Sequence, residues 1–229
     1  MEARLQNRSQ VNLRVILEGL GETNKRNNAG TGRYFHNIER TMLVINSAMS
    51  LAEAAGLREN SFELLAIAGA WMDVVQNPAV FSPNKTQSAH LAGNSMLNNG
   101  YTGSDIRVVK EMILGSEEFP YNDLFLQRAQ GDPHCDSYLA RMLADADRCI
   151  TGAAGDVYIR WTYLRMAEQA GKPVSDLTPS EKLAGWKSEV RNLDGRTFLT
   201  EPANRLMGKS LCGNLLVAKN FADGFLPGQ

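Results

Sequence analysis

The sequence predicts an all-α fold on three observations. Apolar residues recur at three- and four-residue steps, caps and glycines separate the apolar segments, and no segment shows the two-residue alternation of a strand. The chain of 229 residues is long enough to bury a sizeable core. Its formal charge of −1 lacks the strongly basic balance of a dedicated nucleic-acid binder, which excludes that class for the chain as a whole.

The N-terminal part of the chain predicts three helices. The first, from Leu5 to Leu20, is amphipathic and needs another surface to pack on, and Asn24 to Gly32 after it is the best hinge candidate. The second runs from His36 to about Gly56, a natural glycine after a helix C-terminus. The third follows a cap at Asn60-Ser61, and because it is apolar nearly all round it belongs in the middle of a bundle.

The rest of the chain continues as helices separated by loops. An irregular stretch from Ser116 to His134 holds two prolines and predicts a surface excursion near a pocket mouth. Thr178-Pro179 places proline at the first helical position, which is a strong start signal. The other predicted helices span Gln87 to Asn98, Ser104 to Gly115, Tyr138 to Ile150, Val157 to Gly171, Pro179 to Leu193 and Pro202 to Phe221.

No repeat, low-complexity tract or clear linker divides the chain, so we expect a single domain over residues 1–229. Within it, residues 1–32 form the N-terminal helix and hinge, residues 33–150 the central helices, and residues 151–229 the C-terminal helices. No apolar region follows the charged N-terminus and no apolar run could span a membrane, which predicts a cytoplasmic protein without membrane contact. The sequence leaves open whether the chain forms a homo-oligomer. The widely spaced cysteines predict reduced thiols in or near the core: Cys135, Cys149 and Cys212.

Three acidic residues lie in apolar surroundings. Asp73 follows a long apolar run, where a carboxylate must be paired, metal-bound or protonated, and a structural ion pair explains it as well as a functional site does. Asp145 and Asp147 flank the apolar stripe of one predicted helix, on different sides. Periodicity does not choose between these two, and solvated acids at the edge of a core helix explain them equally well.

A histidine and an arginine stand four residues apart at His36 and Arg40. A helix would place both on one face, able to address the same site. A histidine at the edge of the core that bonds a neighbouring backbone group explains His36 equally well.

Several of these residues belong to segments that follow one another in a characteristic order. The segments are Arg33-x-x-His36-Asn37-x-x-Arg40-Thr41-x-x-Val44, then Trp71-Met72-Asp73, then Ser88-Ala89, then Leu143-x-Asp145-Ala146-Asp147. In this order they resemble the HD superfamily of predicted metal-dependent phosphohydrolases, and the similarity covers Arg33 to Phe221. The resemblance implies an HD-like helical bundle with a metal held by histidines and aspartates. It slightly favours Asp147 over Asp145 as the distal metal position.

The sequence departs from that family at the metal itself. Arg40 and Met72 stand where the family has ligand histidines, and Lys85 lies in the stretch where the family has glutamates. An arginine has no acceptor atom and would repel a cation, and a thioether is a poor ligand for Mg, Mn or Fe. The metal positions that remain are Asp73 and one of the pair Asp145 and Asp147.

The resemblance and its departures lead to two hypotheses. The first is a protein that has lost its metal and its hydrolytic activity, needs no cofactor, and keeps the pocket for an anion, a nucleotide or another protein. The alternative is an active phosphohydrolase that binds a divalent metal through other ligands. The ligands considered for that alternative are His36, Asp73, Asp147 and Glu117 or Glu118.

The first hypothesis predicts an electropositive pocket in place of a metal site. The basic residues expected around it are Arg33, His36, Arg40 and Lys85, so a small phosphorylated or anionic ligand is the expected partner. We further expect the Arg40 guanidinium to replace the metal, bonding Asp73, the inward member of the pair Asp145 and Asp147, or both.

Overall fold

The structure is a computed structural model that describes residues 2–28, 32–76, 82–116 and 135–224. These residues form nine α-helices and no strand, so the all-α prediction is confirmed. None of the described helices combines the length and apolar composition needed to cross a membrane. In chain order the helices are α1 (Glu2–Asn28), α2 (Ile38–Ala54), α3 (Glu59–Trp71), α4 (Ser82–Asn98), α5 (Gly103–Gly115), α6 (Cys135–Asp147), α7 (Asp156–Ala170), α8 (Pro179–Leu193) and α9 (Glu201–Ala222).

The chain divides into two compact units. The first comprises Met1–Thr31 and His36–Asp147, and the second comprises Gly32–Phe35 and Arg148–Gln229. Helices α1 to α6 therefore belong to the first unit, and α7 to α9 belong to the second. A single domain over residues 1–229 stays a prediction.

Helix α3 lies at the centre of the first unit, as its apolar composition predicts. It contacts α1, α2, α4, α5 and α6, and every residue from Leu64 to Val75 is buried. The Trp71 indole donates a hydrogen bond to the main-chain oxygen of Val15 in α1 at 2.9 Å. A β-carbon on Gly19 of α1 would lie 2.9 Å from the same indole nitrogen. Close packing at this glycine brings α1 onto the core.

Helix α2 begins two residues later than the sequence predicts. Asn37 is its cap, because the Asn37 side chain accepts a hydrogen bond from the Arg40 N–H, and the first helical residue is Ile38. His36 therefore precedes the helix, and the prediction that His36 and Arg40 share a helix face is wrong. The other end agrees with the prediction: Gly56 follows the helix in the left-handed region, at φ +64°.

Helices α4 and α6 also differ from the prediction. Helix α4 begins at Ser82 in place of Gln87, and α6 spans Cys135–Asp147 in place of Tyr138 to Ile150.

The starts of α3 and α5 differ from the prediction as well. Helix α3 begins at Glu59, before the predicted cap at Asn60-Ser61. Helix α5 begins at Gly103, because the side chain of Thr102 accepts a hydrogen bond from the Asp105 N–H. The sequence predicts this helix from Ser104, and its start is earlier because an equally good capping residue lies at Thr102.

Helix α1 runs further than the sequence predicts and includes the first half of the proposed hinge. The helix continues to Asn28, so residues 24–28 are helical. Lys25 and Arg26 lie in its last turn, where positive charge interacts favourably with the helix C-terminus. The predicted excursion from Ser116 to His134 lies, apart from Ser116, outside the described residues.

The second unit has a buried aromatic cluster. Trp186 of α8 is fully buried and stacks on Phe221 of α9, with ring centroids 4.5 Å apart. Tyr158 of α7 meets Trp186 edge-on and donates a hydrogen bond from its hydroxyl to buried Glu189 at 3.1 Å. Arg165 forms an ion pair with the same carboxylate. Apolar packing and a satisfied buried glutamate together join α7, α8 and α9.

Local chemistry begins α8 where the sequence predicts. Thr178 and Glu181 form a capping box, and Pro179 is the first helical residue. A hydrogen bond from Lys172 and others from Thr178 lower the pKa of Glu181 to about 2.

The cysteine prediction holds in part, since Cys149 is buried but Cys212 is exposed. The side chain of Cys135 lies outside the described part of the structure.

Candidate functional site

A buried arginine of the first unit links the sequence-predicted acids. Arg40 is 3% exposed and lies in the first turn of α2. Its Nη1 donates to Oδ2 of Asp73, and its Nη2 donates to Oδ1 of Asp147. Nη2 also lies 3.5 Å from the main-chain oxygen of Asp147. The sequence predicts that Arg40 bonds Asp73, one of the pair Asp145 and Asp147, or both, and in the structure it bonds Asp73 and Asp147. We refer to Arg40, Asp73, Lys85 and Asp147 as the Arg40 centre.

Helix ends bring the members of the Arg40 centre together. The Asn37 cap places Arg40 at the start of α2, and Asp73 follows the last residue of α3 by two positions. Asp147 is the last residue of α6. Helix α2 contacts both α3 and α6, so the guanidinium meets both acids.

Asp73 has further donors besides the arginine. Lys85 of α4 lies with its Nζ 3.1 Å from Oδ1 of Asp73, and Nε2 of Gln76 donates to the same oxygen at 2.7 Å. Ser88 stabilises the turn that follows α3, because its hydroxyl oxygen accepts a hydrogen bond from the Val75 N–H at 3.0 Å. Sequence reasoning missed Gln76. Its spacing of three residues from Asp73 is the signal that it shares the same turn.

The charges around Asp73 keep its carboxylate ionised. Burial by itself would raise the pKa of Asp73, but the positive charges of Lys85 and Arg40, and the charge of His36, outweigh burial. The pKa of Asp73 is therefore held well below its usual range. Within the Arg40 centre, two cations face two carboxylates, so its formal charges balance.

The structure distinguishes between the two acids of α6. Asp145 is 0% exposed, so a solvated acid at the edge of a core helix is the wrong interpretation for this residue. The Asp147 side chain is 25% exposed and pairs with Arg40. Periodicity could not make this choice, because both acids flank the apolar stripe at similar angles.

The other predicted site residues have different positions. His36 is half-buried, and its charge acts on Asp73, so it lies beside the Arg40 centre. Arg33 is half-buried and belongs to the second unit. Its role in an anion pocket stays a prediction. Glu117 and Glu118 lie outside the described residues.

The residues of the Arg40 centre do not fit a divalent metal. Both of its carboxylates already face a guanidinium, which has no acceptor atom and would repel a cation. Met72 next to Asp73 is buried and offers a thioether, a ligand suited to soft metals. Across the ranges that the structure describes, no group of three or more His, Cys, Asp or Glu residues is placed to hold a metal ion.

Comparison with known proteins leaves the resemblance to the HD superfamily untested. No protein-family model, no curated protein and no solved structure matches this chain significantly. The function is therefore inferred from the Arg40 centre itself.

Proposed function

We propose that this chain is a divergent HD-like protein that binds no metal, does not hydrolyse phosphate esters, and uses its Arg40 centre to bind a small anionic ligand. The observation that carries the proposal is the position of the Arg40 guanidinium between Asp73 and Asp147. The ordered motifs of the sequence supply the HD-like part of the proposal.

Electrostatics supports a permanent replacement of the metal by arginine. Two carboxylates close together repel each other, and without a cation one of them would take up a proton. The guanidinium of Arg40 removes that need, because it stays charged at any physiological pH and its planar fork bonds both acids. A guanidinium cannot lower the pKa of a bound water as a metal ion does, so it supplies no hydroxide for hydrolysis.

The basic residues of the site support an anionic ligand. Arg40 and Lys85 direct their charged ends to the same carboxylate, and His36 lies nearby. Guanidinium and ammonium groups that converge in this way are typical binders of phosphate and carboxylate groups. A phosphorylated small molecule or a nucleotide is therefore the proposed ligand class.

The metal content of the protein tests the first half of the proposal. We expect protein purified without chelator to contain far less than one equivalent of Mn, Fe, Ni or Zn by mass spectrometry of the elements, and to hydrolyse no phosphomonoester or nucleotide. Stoichiometric metal together with hydrolysis would establish the alternative, an active metal-dependent phosphohydrolase with unusual ligands.

A pair of variants tests the role of arginine as the replacement. The double change Arg40→His with Met72→His restores two imidazoles beside Asp73 and should bind Co²⁺, measured by its visible absorption. Arg40→His alone is the matched control and should bind none, because the thioether of Met72 remains a poor ligand. Equal Co²⁺ binding by the single and double variants would contradict the assignment of Met72.

An anion screen tests the second half of the proposal. Phosphate, sulfate and nucleotides should raise the melting temperature of the wild-type protein above that in KCl of equal ionic strength. The chloride control separates binding at the site from general screening of charge. No stabilisation by any anion of the panel would overturn the anion-binding role.

A further inference from the structure

We infer that the Asp147 carboxylate is an intramolecular competitor of the ligand: it occupies the place on Arg40 that the oxyanion of a phosphate group takes when bound. This inference rests on the proposed anion-binding function and adds to it the way in which the ligand enters. Three features of the Arg40 centre support it: the burial of its members, the partners of its two acids, and the helix end at Asp147.

Burial differs sharply within the Arg40 centre. The side chains of Arg40 and Asp73 are 4% and 5% exposed, whereas the Asp147 side chain is 25% exposed. The Arg40 centre therefore meets solvent through Asp147. A ligand arriving from water meets this carboxylate first, and an anion reaches the guanidinium only by displacing it.

The two acids are held by different numbers of donors. Asp73 accepts hydrogen bonds from Arg40, Lys85 and Gln76. Within the described part of the chain, the side-chain donor to the Asp147 carboxylate is Arg40. Breaking a single ion pair releases Asp147, whereas Asp73 has three donors to lose. The exchangeable acid is therefore Asp147.

The helix end opposes the Asp147 carboxylate and favours the arginine. Asp147 is the last residue of α6, where the helix dipole places partial negative charge. That charge repels a carboxylate and attracts the guanidinium, whose Nη2 lies 3.5 Å from the Asp147 main-chain oxygen. When the carboxylate moves away, Arg40 keeps its attraction to the helix end and to Asp73.

The groups that remain define the ligand chemistry. Without the Asp147 carboxylate, the Arg40 centre has two cations, Arg40 and Lys85, against one anion, Asp73. The N–H of Nη2 that bonds the Asp147 carboxylate in this structure is then the donor to the incoming anion. A guanidinium edge of this kind binds the oxygens of a phosphate group, whether in inorganic phosphate or in a nucleotide.

Isothermal titration of the full chain with inorganic phosphate and, separately, with AMP tests the inference at constant ionic strength. Asp147→Asn keeps the shape of the side chain and removes its charge, so it should bind at least one of these about tenfold more tightly than wild type, or about 1.4 kcal/mol. Asp223→Asn makes the same change in net charge at an exposed residue and should bind as wild type does.

Each outcome of the titrations decides the inference. Tighter binding by Asp147→Asn alone supports the inference. Whichever of inorganic phosphate and AMP binds more tightly shows whether the ligand is free phosphate or a nucleotide. Equal affinities of wild type and Asp147→Asn, or an equal gain in Asp223→Asn, overturn it. If Asp147→Asn fails to fold by circular dichroism, Asp147→Ala removes the same carboxylate and replaces it in the test. The anion screen and metal content of the wild-type protein, measured separately, show whether the proposed function itself has failed.

Discussion

Removing the Arg40 guanidinium should destabilise the protein strongly. Arg40→Ala leaves Asp73 buried with Lys85 and Gln76, and it leaves the Asp147 carboxylate at the C-terminal end of α6 without its guanidinium. Removing one partner of a buried ion pair typically costs about 3–5 kcal/mol, because the remaining charge has lost both its partner and its water. Natural domains are stable by only about 5–15 kcal/mol, so the loss is a large fraction of the total.

Chemical and thermal unfolding followed by circular dichroism measure this loss. At about 2–4 °C per kcal/mol for a chain of this size, the melting temperature of Arg40→Ala should fall by about 6–20 °C. Arg107→Ala is the matched control, because Arg107 pairs with Glu111 at 3.9 Å on the surface, with side chains 69% and 46% exposed. Exposed pairs contribute about 0–1 kcal/mol, so this control should unfold close to wild type.

Two results would refute the reasoning about Arg40. The first is a fall of less than about 1 kcal/mol in the free energy of unfolding of Arg40→Ala, which is typical of any substitution. The guanidinium would then not stabilise the buried acids. If Arg107→Ala lost as much as Arg40→Ala, the effect would come from net charge and not from the Arg40 centre.

Three further predictions concern other parts of the molecule. Because the pKa of Asp73 is lowered, its contribution to the free energy of unfolding is complete above its unfolded pKa of about 3.9 and is lost as the pH falls through the folded value. In Asp73→Asn the free energy of unfolding should therefore depend less steeply on pH in acid than in wild type, and an unchanged slope would contradict this. Burial and the charge of Glu189 raise the pKa of Tyr158, so Tyr158 does not ionise around pH 10 in the native protein. Tyr158→Phe should leave the native tyrosinate absorbance at that pH unchanged and lower the free energy of unfolding by about 1 kcal/mol, and a loss of absorbance equal to one tyrosine would refute the assignment. A β-carbon on Gly19 would lie 2.9 Å from the Ala70 main-chain oxygen, so Gly19→Ala should lower the free energy of unfolding in urea by about 1–3 kcal/mol. A β-carbon on Gly21 would have nothing within 4 Å, so Gly21→Ala should be neutral or stabilising, and equal effects of the two changes would count against close packing of α1.

Much of the candidate site could be anticipated from the order of its motifs, but its geometry could not. Arg40 and Asp147 are 107 residues apart in the chain, and no local pattern indicates that they meet. Lys85 could be expected near the pocket, yet its bond to Asp73 depends on how α4 packs against α3. Gln76, which was not predicted, belongs to the site because the turn after α3 directs its amide towards Asp73.

Local sequence patterns predict the all-α class, the central position of α3 and the start of α8. Helical periodicity, the apolar composition of α3 on all sides and proline at the first position of α8 are local features, so they predict these elements without knowledge of the fold. Contacts between distant parts of the chain distinguish Asp145 from Asp147. Both flank the same apolar stripe, and the choice depends on where α2 places the Arg40 guanidinium relative to the end of α6, a contact between residues far apart in the chain.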